Sequence, residues 1–147
     1  MSEELLVRQA APTLAGIKTG SLFPCRYETR RQLTSDIRHL NRILRGKGLC
    51  LLPLRMRERR ALLYLYRPAQ LQRDLQNGLA AVLLHQAGYA AGSCAQCVAE
   101  LTRRFRRDGA FPHEVGLFLS YPPEDVCGFL TGCSKDCKCA GLWKVYG

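Results

Sequence analysis

Apolar residues recur at helical spacing in residues 28–45. Leu33, Ile37, Leu40 and Leu44 follow one another at intervals of four, three and four residues, which predicts an amphipathic helix from Glu28 to Arg45. Because an α-helix turns by about 100° per residue, four arginines lie on the opposite side of this helix. They are Arg31, Arg38, Arg42 and Arg45. The glycines at 46 and 48 close the element.

The next residues change from helical to strand-like patterning. LCLLPLRM and ALLYLY are short apolar runs separated by the charged bend from Arg57 to Arg60, which predicts a β-hairpin. Pro53 suits an edge strand because proline has no N–H for a ladder bond. A shorter strand is predicted near residues 21–23, and a terminal one over GLWKVY.

Helical patterning resumes on either side of this sheet. Ser2 is placed to cap a short helix that reaches about Gln9 and ends at Pro12. After Pro68 the pattern predicts two short helices, or one kinked helix, before Gly88. A further helix is predicted over residues 93–107, and two short ones are expected in HEVGLFLS and EDVCGFL.

Together these elements predict an α+β fold in which helices pack on a small, mainly antiparallel sheet. The chain has 147 residues, so we expect a single domain over residues 1–147. Its parts are the basic helix and hairpin at 26–67, a helical middle at 68–108 and a C-terminal block at 111–147.

The amino-acid composition restricts the class of protein and the compartment in which we expect it. Hydrophobic residues make up 47% of the chain and charged residues 23%, which is typical of a globular protein. The sequence shows no export signal and no apolar run of membrane-spanning length. We therefore expect a cytoplasmic protein without membrane insertion.

Positive charge is concentrated in about a quarter of the chain. The net charge is +10, and residues 26–60 hold eleven Lys or Arg against three acidic residues. Such a region attracts acidic proteins or nucleic acid. With Tyr64 and Tyr66 nearby, Arg31, Arg38, Arg42 and Arg45 suggest an RNA-binding face, although a solvated helix face is the simpler interpretation.

The eight cysteines fall mainly into two groups. Cys94 and Cys97 have the C-x-x-C spacing of redox dithiols and zinc half-sites, but they also align with the apolar face of their helix. Thiolates of the second group could hold zinc or an iron–sulfur cluster, or could belong to a cysteine-rich turn. This second group comprises Cys127, Cys133, Cys137 and Cys139.

His113 and Glu114 are the candidates for acid–base catalysis. A histidine beside a glutamate offers groups for proton transfer. Adjacent helical residues point apart, however, and the same pair could cap a helix start and complement its dipole. No phosphate-binding loop or dinucleotide fingerprint is present.

The C-terminal stretches FPHEVGLFLSYPPEDVCGFLTGC and CKCAGLWKVYG resemble a family of uncharacterised small bacterial proteins, domain of unknown function 3793. APTLAGIKTGSLFPC and RALLYLYRPAQLQRDL are similar to its other blocks, so the resemblance covers nearly the whole chain. It implies bacterial cytosolic origin and carries no established activity. Where a glycine often precedes YP in this family, the chain has Ser120.

The resembling blocks indicate a surface for binding, or else a scaffold. Its residues are Lys18, His113, Glu114, Gly116, Tyr121, Glu124, Asp125, Trp143, Lys144 and Tyr146. These observations favour a non-catalytic binding or accessory protein, linked to iron or thiol redox balance in anaerobic bacteria. A small enzyme with a His113 and Glu114 pocket, and an RNA-binding module, are the alternatives.

Overall fold

The computed structural model describes residues 3–90, 92–107 and 112–130, without the side chains of residues 113 and 127–130. It confirms the α+β fold. The chain divides into two compact units, Met1–Leu71 and Gln72–Gly147. The expectation of a single domain stays a prediction, and each unit is described by itself.

Unit one contains a sheet with two helices. The elements are α1 (Glu3–Leu14), β1 (Gly20–Arg26), α2 (Arg30–Arg45), β2 (Cys50–Arg57) and β3 (Arg60–Tyr66). The strand order is β1-β3-β2 and both pairings are antiparallel. The predicted hairpin and early strand are therefore confirmed, whereas GLWKVY lies outside the described residues.

One face of this sheet meets both helices in a common core. Leu63 and Leu65 alternate along β3 with side chains on the other face, as strand geometry requires. Helix α2 supplies its predicted stripe and α1 supplies Leu6 and Ala10. The stripe of α2, namely Leu33, Ile37, Leu40 and Leu44, is buried throughout.

Both edge strands carry a proline. Pro24 in β1 pairs with Leu62, and Pro53 in β2 pairs with Leu63 next to a register shift. Proline is tolerated at such edges because its missing N–H can face away from the ladder. The edge position expected for Pro53 is confirmed.

Helix α1 does not end at Pro12 as expected. It continues to Leu14 across a kink at Ala10, where φ is −131° and ψ is 24°. The kink accommodates the clash between the proline ring and the preceding turn. Beyond it, Arg67 closes the end of the helix, since its Nε donates to the Thr13 carbonyl at 2.9 Å and its Nη2 to the Leu14 carbonyl at 2.7 Å.

The hairpin turn between β2 and β3 has a backbone conformation that is unusual for its residue types. Glu58 and Arg59 have φ of 50° and 63°, the left-handed region that two-residue turns need and that Asn or Gly adopts most readily. The charged bend is thus confirmed as a turn, but with side chains that do not favour it. The Tyr27 N–H donates to the Arg59 carbonyl at 3.0 Å and ties the turn to β1.

Unit two is helical in its described residues. Helix α3 (Pro68–Gln76) begins in unit one and ends in unit two. It is followed by α4 (Gly78–Gln86), α5 (Cys94–Arg107), a 3₁₀ helix (His113–Leu119) and α6 (Pro123–Leu130). The two short helices after Pro68 are confirmed, and HEVGLFL is a 3₁₀ helix. No helix within the described part of the chain is both long and apolar enough to cross a membrane.

The core of unit two comes from the apolar faces of these helices. Val98, Leu101 and Phe105 of α5 are almost fully buried, as are Val115 and Phe118 of the 3₁₀ helix. Ser120 then takes φ of 70° at the end of that helix. A glycine adopts this conformation without strain, which explains physically why glycine suits this position.

Candidate functional site

The exposed face of α2 forms a basic groove. The predicted arginines Arg31, Arg38, Arg42 and Arg45 are all exposed. A groove of about 570 Å³ runs along this face. It is lined by Arg30, Arg31, Thr34, Ser35, Arg38, His39 and Arg42. We refer to these seven residues as the arginine groove; Arg45 lies outside it.

Helix α2 is fixed firmly beneath this groove. The Thr29 hydroxyl caps its start by accepting from the Gln32 N–H at 3.1 Å. In the second half of the helix, the Asn41 amide donates to the Leu51 carbonyl and accepts from the Leu51 N–H, both at 2.8 Å. With the buried stripe, these bonds hold the groove on a rigid element.

The charged side chains that line the arginine groove are all arginines. In the part of the chain that the structure describes, its lining has four arginines and no carboxylate. A second groove of about 520 Å³ also lies in unit one, but its lining combines three arginines with three acidic residues, Glu28, Asp36 and Glu58. Carboxylates beside arginines weaken the attraction for an external anion. The arginine groove is therefore the better anion site of the two.

Tyr64 and Tyr66 do not complete an aromatic platform for bases. Their side chains are buried, and their rings stack on each other with centroids 4.7 Å apart and planes 8° from parallel. Base stacking requires an accessible ring face. The two tyrosines pack within the protein, as alternation with Leu along a strand suggests.

A cluster of buried ionic groups lies in unit two and was not predicted from the sequence. Glu114 is 5% exposed. Its Oε1 accepts from the Tyr89 hydroxyl at 3.0 Å and from Arg104 Nη1 at 2.9 Å. Arg104 also donates to Glu100 Oε2 at 3.0 Å and to the Ala87 carbonyl at 2.6 Å. We call Tyr89, Glu100, Arg104 and Glu114 the ionic cluster.

Electrostatic interactions within the ionic cluster shift the pKa values of Tyr89, Glu100 and Arg104. Burial, followed by the charge of Glu114, raises the pKa of Tyr89 well above the usual range. The hydrogen bond from Arg104 lowers the pKa of Glu100. Burial opposes the charge of Arg104, but its bonds to Glu100 and Glu114 raise its pKa overall. These contacts support a structural role for Glu114; its catalytic role stays a prediction, as does that of His113, whose side chain is not described.

The raised pKa of Tyr89 predicts a specific response to alkali. In the unfolded chain a tyrosine loses its proton near pH 10, whereas folded Tyr89 keeps it. Stability is therefore lost as pH rises above about 10. We expect the stability gap between the wild type and Tyr89→Phe to narrow between pH 8 and pH 11, as measured by urea unfolding. A gap that stays constant with pH would contradict this assignment.

A signal for part of this cluster was present in the sequence. Arg104 lies seven residues after Cys97 and three after Leu101, so it belongs beside the apolar stripe of α5. Its side chain is only 16% exposed, against 75% for Arg103. An arginine at stripe spacing predicts a buried partner, although the spacing does not identify Glu114 as that partner.

Only part of the predicted cysteine chemistry falls on described residues. Cys94 is half-buried and Cys97 is buried, and neither forms a disulfide. Burial, and then the neighbouring Cys94, raise the pKa of Cys97, which favours the neutral thiol. Within the described ranges, no group of three or more His, Cys, Asp or Glu residues is placed to hold a metal ion.

The remaining cysteine prediction is not addressed by the described residues. The side chain of Cys127, together with Cys133, Cys137 and Cys139, lies outside them. A zinc or iron–sulfur site there stays a prediction.

The surface suggested by the resembling blocks is described in part. Lys18 belongs to unit one, and burial lowers its pKa. Tyr121, Glu124 and Asp125 belong to unit two, at the start of α6. Glu124 is exposed while Tyr121 and Asp125 are half-buried. Trp143, Lys144 and Tyr146 of the same surface lie outside the described residues, so this surface stays a prediction.

Comparison with known proteins gives one match. The family model described as "Protein of unknown function (DUF3793)" matches residues 6–147. Neither the curated proteins nor the solved structures yielded a match.

Proposed function

Because the chain belongs to the DUF3793 family, whose description names no activity, we propose a function from its geometry: it is a non-catalytic cytoplasmic protein that binds nucleic acid through the arginine groove. The observation that carries this proposal is the lining of that groove, to which the described residues contribute four arginines and no carboxylate along one rigid helix. Phosphate groups are among the anions that guanidinium groups bind bidentately.

The length of α2 fits a polymer better than a single small anion. The helix has 16 residues and so extends about 24 Å. Along one nucleic-acid strand, phosphates follow every 3–4 Å of axial rise, roughly seven over that length. Arg31, Arg38 and Arg42 sit at successive heights on the helix, which lets them contact separate phosphates.

The chemistry of the groove supports contacts to the phosphate backbone. The hydroxyls of Thr34 and Ser35 lie among the arginines and are donors of the kind that bind phosphate oxygens. Tyr64 and Tyr66 are buried and offer no ring for base stacking. We therefore expect binding that depends strongly on salt and weakly on base sequence.

The decisive variant reverses two charges at the centre of the groove. Arg38→Glu with Arg42→Glu should weaken binding to a fluorescently labelled 20-nucleotide RNA or DNA at least about tenfold. In a salt titration, the slope of log K against log salt should be about −3 to −4 for the wild type on a duplex, and the variant should lose about two units of it. Fluorescence anisotropy measures both quantities.

A matched control separates the groove from the overall charge. Arg8→Glu with Arg73→Glu makes the same change in net charge at two other exposed arginines, one within α1 and one in the last turn of α3. It should retain most of the affinity, and circular dichroism should show that both variants fold. Equal losses in both variants, or no binding by the wild type at 50 mM salt, would overturn the proposal. Equally tight binding of polyglutamate would assign the groove to acidic proteins instead.

A further inference from the structure

Unit two contains a cavity that is independent of the arginine groove. Its volume is about 270 Å³. Residues from the end of α3, from α4 and from the start of α5 line it, and Leu75, Leu84, Tyr89 and Cys97 form its buried part. Gln72, Gln76 and His85 add polar groups, and Ala81 lines it from α4. An apolar interior with a few polar groups is the usual composition of a small-molecule site.

Among the residues that the structure describes, none of those lining this cavity is Lys, Arg, Asp or Glu. This is notable in a chain of net charge +10 with 23% charged residues. A charged ligand would lose part of its hydration against the buried side of the cavity without gaining an ionic partner from these residues. The cavity therefore selects for uncharged molecules.

The volume of the cavity and its polar groups further restrict which ligands fit. A cavity of about 150 Å³ accepts benzene, so the 270 Å³ found here matches a molecule with two fused rings. The two glutamine amides offer both donors and acceptors; the Oε1 of Gln72 already accepts from the Cys94 N–H at 2.7 Å. We infer that this cavity binds an uncharged bicyclic nitrogen heterocycle.

The wall formed by Tyr89 is held in place before any ligand arrives. The Arg104 guanidinium lies 4.2 Å from the centroid of the Tyr89 ring, and the Tyr89 hydroxyl donates to Glu114. These contacts fix the plane of the ring. A preformed aromatic wall costs little ordering on binding and presents a surface on which a flat ring can pack.

Indole and adenine are suitable probes because both are uncharged, bicyclic and nitrogen-containing. Indole-3-acetate supplies the charged counterpart of indole. In titrations of the full chain, followed by ligand-observed NMR, we expect at least one neutral probe to bind and the charged one to bind at least about tenfold more weakly. Failure of both neutral probes to bind would overturn the inference.

Two further measurements locate the site. Ala81→Leu adds bulk at an exposed position of the lining and should weaken binding at least about tenfold. Ala99→Leu, at an exposed position of α5 outside the lining, should not. In a Cys94→Ser background, the bound probe should slow alkylation of Cys97 by iodoacetamide, as followed by peptide mass spectrometry. Equal affinity of the two alanine variants, or unchanged alkylation, would contradict the assignment. Nucleic-acid binding should persist in Ala81→Leu, which keeps this test separate from that of the arginine groove.

Discussion

Replacing Arg104 by methionine should lower the free energy of unfolding by about 3–5 kcal/mol, as measured by urea denaturation at neutral pH. Methionine keeps much of the apolar stem of arginine but none of its donors. Glu114, which is 5% exposed, would lose its charged partner while remaining buried. The Ala87 carbonyl and Glu100 would also lose bonds that Arg104 now donates.

The adjacent arginine provides a control. Arg103→Met removes an ion pair to the same Glu100, but its side chain is 75% exposed, so the loss should be about 0–1 kcal/mol. If Arg104→Met cost no more than Arg103→Met, the ionic cluster would not stabilise unit two.

A second variant identifies the cause of the loss. Glu114→Gln in the Arg104→Met background removes the stranded negative charge, so the double variant should be more stable than Arg104→Met alone. It also provides a soluble reference if Arg104→Met alone does not fold. Equal or lower stability of the double variant would show that the stranded charge is not the source of the effect.

The second large effect is expected at Leu63, where alanine should cost about 2–5 kcal/mol of unfolding free energy. Leu63 is fully buried in β3. It pairs with Phe23 of β1 on one side and with Pro53 of β2 on the other. A cavity at this central position cannot be filled by a local shift, because strands hold the residue from both sides. Thermal and urea unfolding would measure the loss.

Leu62 is the matched control for this substitution. It neighbours Leu63 in the same strand but faces the other side of the sheet, and it is only half-buried. Leu62→Ala should therefore cost clearly less than Leu63→Ala. Equal costs would mean that the core between the sheet and its two helices is not the main source of stability in unit one.

Elements with a regular apolar period could be predicted well from the sequence. The stripe of α2 repeats over about three turns, and burying it against a sheet leaves Arg38 and Arg42 in solvent. The basic groove was therefore foreseeable in outline. The contribution of Arg30 and His39 to its lining depends on the local surface shape, which a periodic pattern does not specify.

Local signals were less reliable where tertiary contacts override them. Pro12 is a helix stop by its chemistry, yet α1 passes it because a kink at Ala10 absorbs the clash and Arg67 satisfies the last carbonyls. Arg67 lies 54 residues away from Thr13. No rule based on neighbouring residues can supply such a partner.

The ionic cluster and the uncharged cavity were missed for the same reason. Tyr89 and Glu114 are 25 residues apart, and Arg104 lies 10 residues before Glu114. Sequence adjacency instead drew attention to the His113 and Glu114 pair. Glu114 is directed at Arg104 by the packing of α5 and the 3₁₀ helix, which only the folded structure shows.

The prolines of the two outer strands also bear on how copies of this protein behave when concentrated. An open sheet invites a strand from a neighbouring molecule, which is how ordered aggregates grow. Pro24 and Pro53 each delete one donor from the row that such a strand would have to match. Among the strands that the structure describes, both edges of the sheet therefore disfavour templated polymerisation, independently of the repulsion that a net charge of +10 supplies.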